Sequence, residues 1–168
     1  MKTKILVLNG PCVNMIGYGT DHDYSWLHRS LIKFAKEKED LSIVMANTNH
    51  IGEMIDVIQD AFTGDYYDIV IVNPGVDSGE QLLLTISWLE KVRKNINKKK
   101  PIFSAIIPVI EPVDPRICGG INGAWFAGVA CKSYGVKSDE STFDTYKRAI
   151  IDTIDRLNST VEKEEINE

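Results

Sequence analysis

Residues Leu6–Gly17 read LVLNGPCVNMIG, and Tyr24 follows seven residues after the last glycine. Residues 4–8 have the apolar character of a buried strand, and Asn9 is followed by Gly and Pro, which end such a strand. A tyrosine in the loop beyond that strand suggests a phenol held above the edge of a sheet. We therefore expect the chemistry of this protein in this loop.

The same strand signature returns along the chain between longer amphipathic stretches. Short β-branched runs that alternate with helical periodicity are typical of βαβ units around a buried parallel sheet. Ser25 is the predicted N-cap of the first helix. Further strands are predicted at residues 41–46, 69–72, within 101–109 and at 129–131, and helices at 26–35, 51–63, 82–92 and 143–157. The sequence thus predicts an α/β fold.

Size and charge narrow the class of protein. The 168 residues carry a formal net charge of −5, and 43% of them are hydrophobic, which is the profile of one ordinary domain. We assign residues 1–157 to that domain and residues 158–168, which lack a continuing apolar face, to a charged, disordered tail.

The sequence also limits the partners. Its only basic run, Lys98–Lys100, is too short to form a phosphate-binding surface, so no nucleic acid is expected. No stretch is apolar for about 20 residues and no signal core is present, so we expect no membrane partner and a cytoplasmic location. Three widely spaced cysteines, Cys12, Cys118 and Cys131, indicate free thiols rather than disulfides or a zinc knuckle. Nucleotide-binding glycine motifs are absent, which argues against a flavin.

Ligands of an open doubly wound sheet bind beyond the carboxyl ends of its strands. Three loops follow the first three predicted strands, and they span residues 9–24, 47–50 and 73–79. We expect the functional site to be assembled from these loops.

The three loops carry motifs that resemble those of one family, the type II 3-dehydroquinate dehydratases. NGPCVN at residues 9–14 is similar to the family's Asn-Gly-Pro-Asn-Leu-Asn opening, and Gly17 and Tyr24 keep its loop interval. Asn49–Ile58 resembles its second block, and Asn73–Gly75 resembles its Asn-Pro-Gly turn. The resemblance covers about residues 4 to 150, and it implies a flavodoxin-like three-layer sandwich with a central parallel β-sheet.

The activity that this resemblance implies is that of a cofactor-free hydro-lyase of the shikimate pathway. Tyr24, as a phenolate, would remove a proton beside the ketone of dehydroquinate or a related small keto acid, and the enolate would then expel hydroxide. The family also implies a homo-oligomer, a trimer or a dodecamer. Asn73 is the predicted residue that orients the substrate, and its alternative role is turn formation.

Other site residues follow from chemistry and position. His22 lies two residues before Tyr24 and is a candidate general acid or base near pH 7; the alternative is an exposed loop histidine. Ser78 and the backbone amides that precede the third predicted helix could hold a substrate carboxylate. The predicted contacts of this small anionic substrate are Cys12, Pro74, Gly75, Ser78 and Gly79.

Several positions depart from the family pattern. Gly19 stands where the family has an arginine, Cys12 where it has an asparagine, and Gly79 where it has a histidine. The acid histidine expected after the fourth strand falls on Ile106 or Val113, depending on the register. The sequence therefore predicts a divergent member that lacks several catalytic residues, including the cation that lowers the pKa of a phenol.

Alternative interpretations remain open at this stage. The protein could be a non-catalytic paralogue kept for ligand binding or assembly. It could also be a transferase or cyclase that uses Cys12 as nucleophile with His22, although a small buried thiol is the preferred interpretation of Cys12. A metal site could be built from side chains of the types found at His50, Glu53 and Asp56. These positions match the family's helix start, however, which favours helix capping or a subunit contact. No metal site is predicted.

Overall fold

In the residues that the structure describes, a parallel sheet lies between two pairs of helices. This computed structural model describes residues 2–75, 79–92, 101–111, 132–137 and 139–166. The strands are β1 (Thr3–Asn9), β2 (Leu41–Asn47), β3 (Ile69–Asn73), β4 (Ile102–Glu111) and β5 (Lys132–Lys137). The helices are α1 (Tyr24–Lys36), α2 (Ile51–Thr63), α3 (Gly79–Val92) and α4 (Thr142–Ile166), with a short 3-10 helix at Val13–Met15.

The described strands form one five-stranded sheet in the order β2-β1-β3-β4-β5, and all described pairings are parallel. Chain order reverses beside β1, because β1 pairs with β2 on one side and β3 on the other. This is an α/β flavodoxin-like fold, which confirms the predicted fold class. A ligand site is therefore expected beyond the carboxyl ends of β1 and β3.

Each face of the sheet buries its own apolar cluster, because successive side chains of a strand point to opposite faces. Leu6 and Leu8 of β1 pack in the cluster that contains buried residues of α2 and α3. Ile5 and Val7 pack in the other cluster, with buried residues of α1 and α4. The sheet is thus the middle layer of the sandwich, and the helices on its two faces are the outer layers.

The first helix begins two residues earlier than its sequence predicts. Asp23, not Ser25, is the N-cap of α1, and its carboxylate accepts a hydrogen bond of 2.8 Å from the backbone N–H of Trp26. Both residue types are good caps, and the geometry of the preceding loop selects Asp23. Tyr24 therefore lies in the first turn of α1 rather than in the loop.

The last helix is longer than predicted. α4 continues through residues 158–166, where the sequence predicts a disordered tail. The hydroxyls of Ser159 and Thr160 donate to the carbonyl oxygens one turn earlier, and the charged residues that follow are good helix formers. A helix can therefore continue here without an apolar face.

Two other boundaries differ from the prediction. α3 begins at Gly79, three residues before the predicted start, and β5 covers Lys132–Lys137, whereas the strand predicted at 129–131 lies outside the described residues. In the part of the chain that the structure describes, no helix combines the length and apolarity needed to cross a bilayer.

Candidate functional site

Three asparagines form a row across the carboxyl edge of the sheet. Asn9 ends β1, and its register partners are Asn47 at the end of β2 and Asn73 at the end of β3. Asn9 continues the alternation of Ile5 and Val7, so its side chain lies on the α1 and α4 face. The strands therefore carry amides, which can both donate and accept, where the apolar core ends.

Tyr24 reaches this row from the first turn of α1. Its side chain is half-buried, and its hydroxyl oxygen accepts a long hydrogen bond of 3.4 Å from Asn9 Nδ2. Burial raises the pKa of the Tyr24 phenol above its ordinary value of 10, and the Asn9 hydrogen bond opposes that rise. In the described residues, no cation contributes to this balance. The phenol is thus placed at the sheet edge, but it is a weak acid there.

Tyr146 of α4 approaches Asn9 from the other helix. It is fully buried, donates a hydrogen bond of 2.6 Å to Asn9 Oδ1, and accepts one of 2.7 Å from Asn73 Nδ2. Burial is the main reason that the pKa of Tyr146 is raised, so this phenol stays protonated. Sequence reasoning missed Tyr146, although a polar aromatic on the apolar face of the last helix was a signal that could have found it.

The Asn73 side chain forms hydrogen bonds to other groups of the protein. It is buried, and its Oδ1 accepts a hydrogen bond of 3.1 Å from the backbone N–H of Gly75, while its Nδ2 binds Tyr146. The turn-forming role that the sequence left open is therefore present. Orientation of a substrate by Asn73 stays a prediction.

The first and third motif loops pack backbone to backbone. Gly10 N–H donates to the Asn73 carbonyl oxygen at 2.8 Å, and a Cβ on Gly10 would lie 2.6 Å from the Pro74 carbonyl oxygen. Gly75 has a φ of +70°, and a Cβ there would collide with the backbone of Pro11. Only glycine allows this approach, so the two loops position each other.

His22 lies on the loop before α1, but its ring packs against a different residue. The imidazole is exposed and meets the Trp26 ring edge-on, with 4.5 Å between ring centroids. Its backbone N–H donates to Thr20 Oγ1 at 3.2 Å. Within the described residues, His22 forms no hydrogen bond to Tyr24, and its role as an acid stays a prediction.

Cys12 is exposed, so the expectation of a small buried thiol is wrong. The reason is its backbone, which turns with a φ of +65° immediately before the 3-10 helix. Its N–H donates to Asn49 Oδ1 at 3.1 Å, which ties the first loop to the second. The thiol is accessible at the same edge as the asparagine row.

The segment around His50 begins a helix. Thr48 Oγ1 accepts from the His50 backbone N–H at 3.0 Å and also bonds the Glu53 carboxylate, whereas the His50 side chain makes no capping bond. Among the residues whose placement is described, no group of three or more potential ligands could hold a metal ion. The local contacts are those of a helix start.

The remaining predicted contacts lie around the Asn73 turn. Pro74 and Gly75 form that turn, and Gly79 begins α3. Ser78 lies outside the described residues, as do the backbone amides of residues 76–78 that were expected to hold a carboxylate.

Comparison with known proteins identifies the same segment. The family model for dehydroquinase class II matches residues 3–79. The chain is 44% identical over 78 residues to a 3-dehydroquinate dehydratase of Lachnoclostridium phytofermentans, a match that covers 43% of this chain and 52% of that protein. It is 37% identical over 81 residues to the enzyme of the same name from Helicobacter acinonychis, covering 45% and 48%.

The chain spans about half the length of the curated relatives that it matches. The matched part runs from β1 to the start of α3, and it contains Asn9, Tyr24, Asn73 and the three motif loops. Through residues 3–79, this chain is therefore similar to the class II dehydroquinase family.

Proposed function

We propose that this protein is a hydro-lyase that dehydrates dehydroquinate or a related small anionic keto acid, with Tyr24 as the base. The observation that carries the proposal is the position of the Tyr24 phenol. It lies beside Asn9 at the carboxyl edge of the sheet, in the segment that matches the dehydroquinase family. Relatives over this segment are named 3-dehydroquinate dehydratase.

The chemistry needs one base and one acid. The Tyr24 phenolate takes a proton from the carbon beside the ketone, and the electron pair of that C–H bond forms an enolate. The enolate then re-forms the ketone, and the C–O bond to the hydroxyl two carbons from it breaks. The departing hydroxide takes a proton from an acid and leaves as water, which creates a conjugated enone.

Asn9 assists the base. Its N–H donates to the Tyr24 oxygen, and this hydrogen bond strengthens when the phenol becomes a phenolate. An amide is a weaker partner than a guanidinium, so at neutral pH only a small fraction of Tyr24 is ionised. We therefore propose a slow enzyme whose rate is limited by ionisation of its base.

His22 is proposed as the acid, and the exposed thiol of Cys12 as a neighbour of the substrate. Both lie in the loop between β1 and α1. Replacing His22 by Asn should lower the rate more than replacing the exposed His28, one turn into α1, by Asn. Equal rates in the two variants would remove His22 from the mechanism.

We also propose that the protein is a cytoplasmic homo-oligomer. Leu84 and Trp88 lie one turn apart on α3 and are each more than half exposed, which is unusual for large apolar side chains and favours a subunit contact. The free, exposed thiol of Cys12 suits a reducing compartment.

The test is an ultraviolet assay for enone formation from dehydroquinate. Tyr24→Phe should reduce kcat by about 100-fold or more, because a general base contributes on this order. The control is Tyr18→Phe, which removes an exposed phenol from the loop before α1 and should leave the rate unchanged. Absence of an absorbance rise with concentrated wild-type protein, or equal rates for the two variants, would refute the proposal.

A further inference from the structure

A continuous chain of hydrogen bonds links the Asn73 turn to Tyr24 across the end of the sheet. It runs from Gly75 N–H to Asn73, from Asn73 to Tyr146, from Tyr146 to Asn9, and from Asn9 to Tyr24. We infer that Tyr146 and Asn73 are positioning residues, which orient the Asn9 amide so that Tyr24 receives a donor. This inference rests on the proposed role of Tyr24 as the base.

The direction of each bond follows from the bond before it. The backbone N–H of Gly75 can only donate, so Asn73 must present its oxygen to Gly75 and its NH2 to Tyr146. The Tyr146 hydroxyl has one proton, and with its oxygen occupied by Asn73 it gives that proton to Asn9 Oδ1. The NH2 group of Asn9 is then left for Tyr24.

Burial keeps this direction in place. Asn9, Asn73 and Tyr146 are between 0% and 3% exposed, so bulk water cannot replace a partner when an amide turns over. A reversed Asn9 would place its NH2 against the Tyr146 proton and its oxygen against Tyr24. An unmade bond of a buried polar group is costly, which disfavours that arrangement.

The arrangement matters because Tyr24 must lose a proton. A donor aimed at the phenol oxygen favours the phenolate, whereas an acceptor there would favour the neutral phenol. The titratable groups near Tyr24 in the described residues do not replace this donor. Tyr146 stays protonated, the Asp23 carboxylate caps α1 at Trp26 N–H, and the His22 ring packs on Trp26.

The first test is Tyr146→Phe, which removes the hydroxyl and keeps the ring. Without its donor, Asn9 can turn over, and the pKa of Tyr24 should rise by about one unit, the scale of one hydrogen bond to an ionised group. The pKa is measured without substrate by NMR of tyrosine labelled at Cζ, with the Tyr24 signal assigned by its loss in Tyr24→Phe.

The matched control is Tyr134→Phe, which removes a buried tyrosine hydroxyl of β5 outside the chain of hydrogen bonds. This variant should leave the Tyr24 pKa unchanged even if it lowers the melting temperature. An unchanged Tyr24 pKa in Tyr146→Phe, with or without a lower melting temperature, would overturn the inference and leave Tyr146 with a structural role only.

A second pair of variants covers the case in which Tyr146→Phe does not fold. Asn73→Asp keeps the acceptor for Gly75 but turns the donor toward Tyr146 into an acceptor, so Tyr146 would give its proton to residue 73 instead of Asn9. Asn47→Asp places the same charge on the other register neighbour of Asn9, which is not a member of this chain of hydrogen bonds. Asn73→Asp should raise the Tyr24 pKa by about one unit more than Asn47→Asp does.

Equal shifts in the two aspartate variants would overturn the inference, because charge alone would then explain them. The titration needs no turnover, so it separates this inference from the proposed function. If the wild-type protein forms no enone, the proposed function is wrong. If the Tyr24 pKa does not respond to these variants, the chain of hydrogen bonds does not control that pKa and the inference is wrong.

Discussion

The position of the Tyr24 hydroxyl and the pKa of the Tyr24 phenol depend on different features of its surroundings. Its hydroxyl stays at the sheet edge beside Asn9, but burial raises its pKa and no cation in the described residues lowers it. The residue can therefore serve as a base only in the small fraction of molecules that have ionised.

Because the Tyr24 phenol is a weak acid, its ionisation should control how the rate of the proposed reaction depends on pH. In the proposed mechanism the phenolate is the active form, and its fraction rises about tenfold per pH unit below the pKa. In His22→Asn, from which the proposed acid is removed, the rate of enone formation should thus increase steadily from pH 7 to above pH 9, without a neutral plateau. A stopped-flow or steady-state pH profile measures this, and a plateau that begins below pH 8 would contradict it.

The glycines at positive φ offer a second prediction. Gly75 and Gly19 both have positive φ, at +70° and +79°, but a Cβ on Gly75 meets Pro11 whereas a Cβ on Gly19 meets open space. Gly19→Ala should cost about 1 kcal/mol of unfolding free energy, which is the strain alone. Gly75→Ala should cost about 3 kcal/mol or more, because it also separates the two loops.

Urea denaturation of both variants gives these free energies. Similar costs for the two glycines would mean that the contact between Pro11 and Gly75 contributes little.

At the scale of elements, the start of α1 determines where Tyr24 lies. The Asp23 carboxylate holds the first turn through Trp26 N–H, and Tyr24 is the first residue of that turn. Asp23→Ala should lower the unfolding free energy by about 1 kcal/mol. Asp21→Ala is the control, because this exposed residue is not the cap. Thermal melts compare the two, and equal melting temperatures would contradict the assignment of Asp23.

The junction of β5 and α4 depends on one charged pair. Arg148 Nε and Nη2 bind the two oxygens of Glu140 at 2.9 Å each, and Nη2 also donates to the Gly135 carbonyl. These hydrogen bonds from Arg148 are the main reason that the pKa of Glu140 falls from 4.5 to about 2. The pair anchors the helix that carries Tyr146.

A lowered carboxyl pKa gives stability that is present above about pH 4.5 and lost as the pH falls toward 2. Glu140→Gln should therefore cost about 2 kcal/mol of unfolding free energy at pH 7 and much less near pH 2. Glu37→Gln, which loses an exposed pair 3.9 Å from Lys33, is the control and should cost under about 0.5 kcal/mol. Urea unfolding at both pH values checks this, and a cost independent of pH would contradict it.

For the whole molecule, the strand order predicts which strands unfold locally. β1 and β3 are paired on both sides, whereas β2 is described with one neighbour and has Val44 about half exposed. Backbone amides of β1 and β3 should exchange only through global unfolding, and those of β2 should exchange faster. Hydrogen exchange measured by NMR tests this, and faster exchange in β1 than in β2 would contradict it.

The sequence was sufficient to predict much of the molecule. Apolar runs and helical periodicity predicted an α/β fold with a parallel sheet, and the three motif loops predicted the edge where Tyr24 and Asn73 lie. The boundaries were less accurate, at α1, where Asp23 and Ser25 are both good caps, and at α4, where helix formers extend the helix without an apolar face.

Local patterns are readable because strands, helices and turns depend on residues a few positions apart. The partner of the Asn9 amide oxygen could not be read this way. Asn9 and Tyr146 are separated by 137 positions, and only the docking of α4 on the sheet brings them within 2.6 Å. The exposure of Cys12 and the turn of His22 toward Trp26 are also set by packing. Chain order thus determines the elements, but contacts between distant residues decide which groups can do chemistry.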